Sequence, residues 1–336
     1  MTGVKLSVAV EKVRLSAPFR ISGYVFEEQE VVVVTLREGA RLGRGEASGV
    51  YYLGETAAAM RSTIETHRDT VEAGIDRTSL QQLLPPGGAR NALDCALWEL
   101  EAARARLPVW RLAGLPRLTP LVTTFTVGAD APAVMAEGAR KYAQARSLKL
   151  KLTGDLDQDI ARVRAVRNAR PEVWVGVDAN QGYRIAELGA LIGELSLARV
   201  SLLEQPIARG READLQGFSS PIPIAADESA LTLSDLPGLV GRFNVVNIKL
   251  DKCGGLTEGL AMAQRARELG LGVMVGNMVG TSLAMAPGFI LGQLCDVVDL
   301  DGPIFLTSDR QPAARYNDGK IWCGEEVWGA AESSAA

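Results

Sequence analysis

Five acid–base side chains recur at nearly even intervals in the order Lys151, Asp178, Glu204, Asp227, Lys249; the successive steps are 27, 26, 23 and 22 residues. Each closes a short apolar run, giving Lys149-Leu-Lys151, Asp178-Ala-Asn180, Glu204-Gln-Pro206, Asp227-Glu228-Ser229 and Lys249-Leu-Asp251. A further ending of this kind, Asp299-Leu-Asp301, begins 50 residues after Lys249, the length of two repeats. Three carboxylates brought together repel one another unless a cation binds them. Oxygen ligands without histidine or cysteine select Mg2+ over zinc. A lysine on either side of that cation supplies an acid or base to each face of a substrate carbon. Lys149 beside Lys151 is expected to ease deprotonation by like-charge repulsion. The chemistry implied is loss of a proton next to a carboxylate, through an enediolate stabilised by Mg2+, and its return from the opposite face.

Such a set needs a scaffold that gathers strand ends on one rim. From about Leu118 onward, apolar runs recur at 121–127, 148–152, 173–177, 200–204, 222–226, 244–250, 272–276 and 297–300. Helical stretches lie between them, as at 155–169, 184–195 and 257–268. This alternation calls for a closed barrel, in which strand C-terminal ends open on one face and residues one repeat apart become rim neighbours. Ahead of it, the N-terminal strand is followed by extended runs at 31–36 and 41–47 around a Glu38-Gly39 turn, then by helical periodicity at 56–72 and 89–105. In the last of these, Ala92, Leu93, Ala96, Leu97 and Leu100 form one apolar face. The expected fold is α/β: a modified (β/α)8 TIM-type barrel at 118–302 and an N-terminal α+β capping domain at 1–117. A C-terminal segment, 303–336, is expected to return to the capping domain, and its end, 329–336, to fray.

Composition narrows the alternatives. The 336 residues are 47% hydrophobic, enough for one large barrel and a smaller domain. A net charge of −4 gives no electrostatic case for nucleic acid or an anionic membrane. Cys95, Cys253, Cys295 and Cys323 are widely spaced and form no CxxC, which fits a reducing cytoplasm. The single histidine, His67, sits in the charged stretch ETHRD and reads as a surface helix residue. Residues 269–294 carry no charge and are long enough to span a bilayer. Asn277, Thr281, Ser282, Pro287 and Gln293 interrupt them, so a strand, a loop and a helix are expected instead. GLGVMVG at 270–276 superficially matches a dinucleotide loop, but no helix opens within it. Barrel enzymes often form homo-oligomers, and no coiled-coil repeat or other signal identifies an interface here.

KLKL, VDANQG, LLEQP, AADES and NIKLDKCGGLTE, with RNALDCALWELEAA near the N-terminus, resemble the muconate-lactonizing subgroup of the enolase superfamily over essentially the whole chain. The resemblance implies that Asp178, Glu204 and Asp227 are Mg2+ ligands and that Lys151 and Lys249 are the acid/base pair. VDLDGP at 298–303 resembles the Asp-x-Asp with which dipeptide epimerases hold a substrate α-ammonium, here Asp299 and Asp301. Strand residues i and i+2 face the same way and can share one cation. IKLDKCGGLTE and MVGTSLAMAP likewise look like the sixth and seventh strands of epimerases. The activity implied is inversion of the C-terminal α-carbon of an L,L-dipeptide.

Ala-Glu epimerases place an arginine in a capping loop to receive the glutamate side chain. In PFRISGYVFEEQE that place holds Gly23 or Tyr24, and Arg20 is offset from it by a few residues. Tyr24, Val25 and Phe26 fit an apolar side chain better. Arg20, Tyr24, Phe26 and Lys149 are therefore candidate substrate contacts, with Asn180, Glu228 and Asp251 in support. Asn277 stands where epimerases more usually have cysteine. Rival reactions at the same site are N-acylamino acid racemisation, o-succinylbenzoate synthesis and muconate cycloisomerisation, whose substrates lack a free ammonium. A non-catalytic, metal-holding barrel that binds metabolites is the rival from another class, and it has no need of two opposed lysines.

Overall fold

The computed structural model describes residues 3–21 and 24–331. Strands β1 (Lys5–Ile21), β2 (Tyr24–Glu38) and β3 (Arg41–Ala47) form an antiparallel sheet in that order. Val32, Val34 and Leu36 on one face of β2 pack into the core of the capping helices, while Val31 and Val33 on the other join the barrel core. Burial on both faces explains why this strand reads as a continuous apolar run and not as an alternation. Helices α1 (Ala57–Thr66), α2 (Arg68–Glu72), α3 (Arg77–Leu83), α4 (Gly88–Ala105) and α5 (Val109–Leu112) follow.

The expected helix at 56–72 is thus two, broken at the half-buried His67. There the His67 ring and the Thr63 and Thr66 hydroxyls bond carbonyls one turn back, competing with the helix ladder. The five apolar residues of α4 pack as expected against the capping core, and Cys95, Trp98 and Ala102 on its other side face the barrel. Sheet and helix touch directly, because a Cβ on Gly45 of β3 would lie 2.0 Å from the Ala92 carbonyl oxygen.

After β4 (Leu121–Val122), which lies outside it, the barrel comprises β5 (Thr124–Val127), α6 (Pro132–Lys141), β6 (Ser147–Lys151), α7 (Leu156–Ala169), β7 (Trp174–Asp178), α8 (Ile185–Leu197) and β8 (Leu202–Glu204). It continues through β9 (Ile224–Ala226), β10 (Val245–Lys249), α9 (Leu250–Cys253), α10 (Leu256–Glu268), β11 (Gly272–Gly276), α11 (Ser282–Gly292) and β12 (Val297–Val298). Strands β5 to β12 pair in sequence order as an eight-stranded sheet, parallel throughout. Around β9 the connections are 3-10 turns, Glu212–Leu215 and Leu233–Leu239, in place of α-helices.

Side chains link the two end strands of the sheet. Leu300 N donates to Thr123 Oγ1 at 3.0 Å, Thr126 N to Asp301 Oδ2 at 2.7 Å, and Thr124 Oγ1 to Asp299 Oδ1. Residues 269–294 form β11, a loop and α11, and no helix among the described residues is long and apolar enough to cross a membrane.

Two short strands near the C-terminus, β13 (Arg315–Asn317) and β14 (Lys320–Trp322), pair with β4, splitting the expected 121–127 strand between two sheets. The flanks of this hairpin reach the capping residues: Thr307 N donates to Arg14 O at 2.9 Å and Trp328 Nε1 to Arg44 O at 2.8 Å. Gly329, where fraying was expected to begin, is held instead. Its N–H donates to Glu99 Oε1 at 3.0 Å and its carbonyl accepts from Val109 N at 2.9 Å. Residues 332–336 lie outside the described residues, as does Gly23.

Candidate active site

Parallel register sets the predicted residues side by side. Lys151 on β6 pairs with Asp178 on β7, which pairs with Glu204 on β8; Asp227 immediately follows β9 and Lys249 ends β10. All five are buried. One oxygen from each of Asp178, Glu204 and Asp227 lies within 4.8 Å of the others. Lys151 Nζ reaches Asp178 Oδ2 and Lys249 Nζ reaches Asp227 Oδ2, each at 2.6 Å, so the lysines flank the triad from opposite ends.

Lys149 does not act as a bare charge beside Lys151. Its Nζ lies 2.7 Å from Glu204 Oε2, 2.9 Å from Asp299 Oδ2 and 3.3 Å from Asp178 Oδ2. Burial alone lowers a lysine pKa, but Asp299, Glu204 and Asp178 outweigh it and hold Lys149 well above its ordinary value. Burial is likewise outweighed at Lys249, principally by Asp227, and the net shift is upward. At Lys149 and Lys249, then, neighbouring carboxylates outweigh burial.

Oxygen chemistry and unmet charge fit a hard divalent cation. Burial first, then Asp178, pushes Glu204 up to about 7. Burial, Asp227 and Asp178 push Glu228 up to about 8. Glu228 Oε2 and Asn180 Oδ1 are buried and have no hydrogen-bond partner among the described residues. Asn180 otherwise braces the triad, its N–H donating to Asp178 Oδ1 at 3.0 Å and its amide nitrogen to Glu228 Oε1 at 3.5 Å.

Three supporting residues escape the sequence reading. Lys252 Nζ donates to Asp227 Oδ1 and Asp227 O at 2.6 Å and to Asn247 O at 2.9 Å. Asn247 Nδ2 holds Glu204 Oε1 at 2.7 Å. Gln205 Oε1 accepts from Asp227 N at 2.9 Å and Ser229 N at 3.1 Å, fixing the turn that carries Asp227. Lys252 lies one helical turn beyond a strand end and Asn247 is interior to one, so the strand-end rule passes over both.

A cavity of about 100 Å3 opens above this cluster, and Lys149, Lys151, Lys249, Asp299 and Asp301 line it. Asp299 and Asp301 are both buried. Burial and Asp299 push Asp301 up to about 7, whereas Lys149 and Thr124 outweigh burial at Asp299 and hold it down. Such a pair is ready to accept one more positive charge. Asn277, unexplained by sequence, donates through Nδ2 to the Asp299 carbonyl at 2.6 Å and so braces this pair.

The capping residues divide. Phe26 lines the cavity, joined by Phe19, Tyr51, Met278 and Phe305, none of which the sequence marked. Tyr24 does not line it; 45% exposed, it packs against Tyr51 with ring centroids 4.7 Å apart. Arg20 lines a separate, adjacent depression. The irregularity between Arg14 and Phe19 in the β1–β2 pairing shifts the register, which defeats any reading of strand parity from sequence.

Asp251 is not at the metal cluster. Its Oδ1 accepts Ser48 N at 2.9 Å and Gly49 N at 3.0 Å, while Glu55 Oε2 accepts Val50 N at 2.8 Å. These bonds fix the loop that delivers Tyr51. Asp251→Ala is expected to cost about 2–4 kcal/mol, the loss of two charge-assisted bonds and the orphaning of two buried amides. Asp251→Asn, which keeps Oδ1, is expected to lose less than half of that. Urea denaturation of both variants measures the difference, and equal losses would mean that the acceptor atom is not what matters.

Residues 4–114 match the mandelate racemase / muconate lactonizing enzyme N-terminal domain family, and residues 133–321 match the enolase C-terminal domain-like family. The chain is 40% identical over 309 residues to the L-Ala-D/L-Glu epimerase of Escherichia coli (strain K12), covering 91% of this chain and 96% of that one. An enolase family member from Agrobacterium tumefaciens with homology to dipeptide epimerases was solved with bound sodium and L-Ala-L-Glu. It matches with a TM-score of 0.93 at 39% identity, covering 97% of this chain and 100% of that one. The dipeptide epimerase of Enterococcus faecalis V583, complexed with Mg and L-Leu-L-Tyr, matches with a TM-score of 0.88 at 27% identity, covering 97% and 98%. Matched in both its domains, and along nearly its whole length by such relatives, the chain belongs to the mandelate racemase / muconate lactonizing group of the enolase superfamily.

Proposed function

We propose that the protein is a Mg2+-dependent dipeptide epimerase that inverts the C-terminal α-carbon of an L,L-dipeptide. One observation carries this reading: two buried lysines flank a carboxylate triad from opposite ends, in a cavity also lined by a buried Asp-x-Asp pair. The relatives named as dipeptide epimerases support it. Asp178, Glu204 and Asp227 would hold Mg2+, which supplies positive charge for the substrate carboxylate as the α-proton leaves. Asp299 and Asp301 bind the α-ammonium and set the α-carbon between the lysines. Lys149, paired with both Glu204 and Asp299, ties the metal-holding triad to the Asp-x-Asp pair. As the free amine, one of Lys151 and Lys249 accepts the proton at Nζ; as the ammonium, the other donates from the opposite face. Phe19, Phe26 and Phe305 keep water from the reacting carbon.

No arginine lines this cavity among the described residues, and Lys149, Lys151 and Lys249 are each paired with the acids of the cluster. Phe26, Tyr51 and Met278 in its lining favour an apolar C-terminal residue, and the relative named hydrophobic dipeptide epimerase, from Roseobacter litoralis, supports that preference. Four cysteines free of disulfides support a cytosolic setting. Incubation with Mg2+ and an L,L-dipeptide library in D2O tests the whole reading, with a single deuteron expected in certain peptides. N-acyl substrates, by contrast, bring no ammonium to Asp301. Asp301→Asn is therefore expected to raise KM for dipeptides by about 100-fold. Steady-state kinetics on dipeptides and N-acylamino acids settle this, and an unchanged KM would turn the reading toward N-acyl racemisation.

A further inference from the structure

A fully buried carboxylate that does not line the cavity bonds to the turn just after Lys151. Asp159 stands in the first turn of α7, where a helix N-terminus favours negative charge. Its Oδ2 accepts from the backbone N–H groups of Thr153 at 3.0 Å and Gly154 at 2.9 Å, the second and third residues after the lysine. Arg162 Nη1 donates to its Oδ1 at 2.6 Å and to Thr153 Oγ1 at 2.7 Å. From the loop after β7, the Tyr183 hydroxyl donates to Oδ2 at 2.6 Å. A carboxylate with so many donors is costly to bury and rigid once satisfied.

These bonds close a frame around the end of β6. Leu152 N, next to Lys151, donates to Asp178 O at 2.9 Å. Gly154 has a φ of 87°, and a Cβ on it would lie 2.5 Å from the Gly182 carbonyl oxygen. The turn after β6 and the loop after β7 therefore meet backbone to backbone. Tyr183 N in turn donates to Pro206 O at 2.9 Å, which carries the frame to the end of β8. Lys249 is supported differently, since α9 begins at the next residue. Among the described residues, no partner that Asp159 bonds through its carboxylate belongs to β10 or α9.

We propose that Asp159, steadied by Tyr183 and Arg162, is a positioning residue for Lys151 and so governs proton transfer on one face of the substrate carbon only. The inference rests on the reading of Lys151 and Lys249 as acid/base groups on opposite faces. Its test follows deuterium incorporation into L-Ala-L-Leu and L-Ala-D-Leu with Mg2+ in D2O. In Lys249→Ala, Lys151 alone exchanges the proton; in Lys151→Ala, Lys249 alone does. Adding Asp159→Ala is expected to slow exchange through Lys151 by about 100-fold, and exchange through Lys249 by at least about tenfold less. Asp159→Asn, which keeps an acceptor for the Thr153 and Gly154 amides, is expected to recover about tenfold of that loss. Tyr183→Phe, which removes one hydrogen bond, is expected to slow exchange through Lys151 by about threefold and provides the test if Asp159→Ala does not fold. Equal losses through both lysines, or no loss in the folded variants, would overturn the inference and leave the epimerase reading intact. No deuterium incorporation into any dipeptide by the wild-type enzyme would remove both.

Discussion

Lys151→Ala and Lys249→Ala are each expected to lower the epimerisation rate by about 10³- to 10⁴-fold, because each removes the proton donor or acceptor from one face of the α-carbon. The two variants should not fail in the same way. An enzyme keeping a single lysine can still remove and return a proton on that lysine's own side. One variant should thus incorporate deuterium into the L,L-peptide and the other into the L,D-peptide, both without inversion. The carboxylate neighbours make the experiment interpretable: Asp178 and Asp227 lose a partner at 2.6 Å, but the metal triad itself is untouched. Mg2+ binding followed by calorimetry should therefore persist. A double variant that still inverts the peptide would sink the two-base mechanism.

The second large effect concerns the triad. Glu204 is buried between Lys149 and Asn247, and burial with the Asp178 charge raises its pKa to about 7. A cation bound there relieves the repulsion among three clustered carboxylates, so binding and folding are linked. Mg2+ at about 100 times its Kd is expected to add about 2.7 kcal/mol of stability, read as a rise in Tm. Glu204→Gln removes one ligand charge and is expected to weaken Mg2+ by about 100-fold or more, extrapolating from the cost of losing outer-sphere partners alone. Turnover should fall with it and recover only partly at high Mg2+. Full activity in chelator, with no change in Tm on adding Mg2+, would show that the triad is a structural cluster.

Sequence alone was enough to bring Lys151, Asp178, Glu204, Asp227 and Lys249 to one rim, and the reason is geometric. In a parallel barrel each repeat returns the chain to the same rim, so constant spacing along the sequence becomes adjacency in space. Lys151, Asp178 and Glu204 fall in direct register, as their spacing predicts. The i, i+2 relation of Asp299 and Asp301 survives because both stand at one strand end and line one cavity. Even the uncharged stretch at 269–294 was divisible into strand, loop and helix from its polar interruptions.

What the tertiary structure decided lies between elements, where no period operates. Lys149 was legible as a neighbour of Lys151 but not as the partner of three carboxylates from three other strands. Asp251 ends in a loop from the capping domain, 203 residues away from Ser48, and no local pattern encodes that meeting. Phe19 lines the cavity and Arg20 does not, because an irregularity in the β1–β2 pairing resets which residues sit where. Repetition set which side chains would meet at the rim, since period and fold share one geometry. The shape of the substrate's enclosure depends on contacts between distant, non-repeating segments, and only folding brings those together.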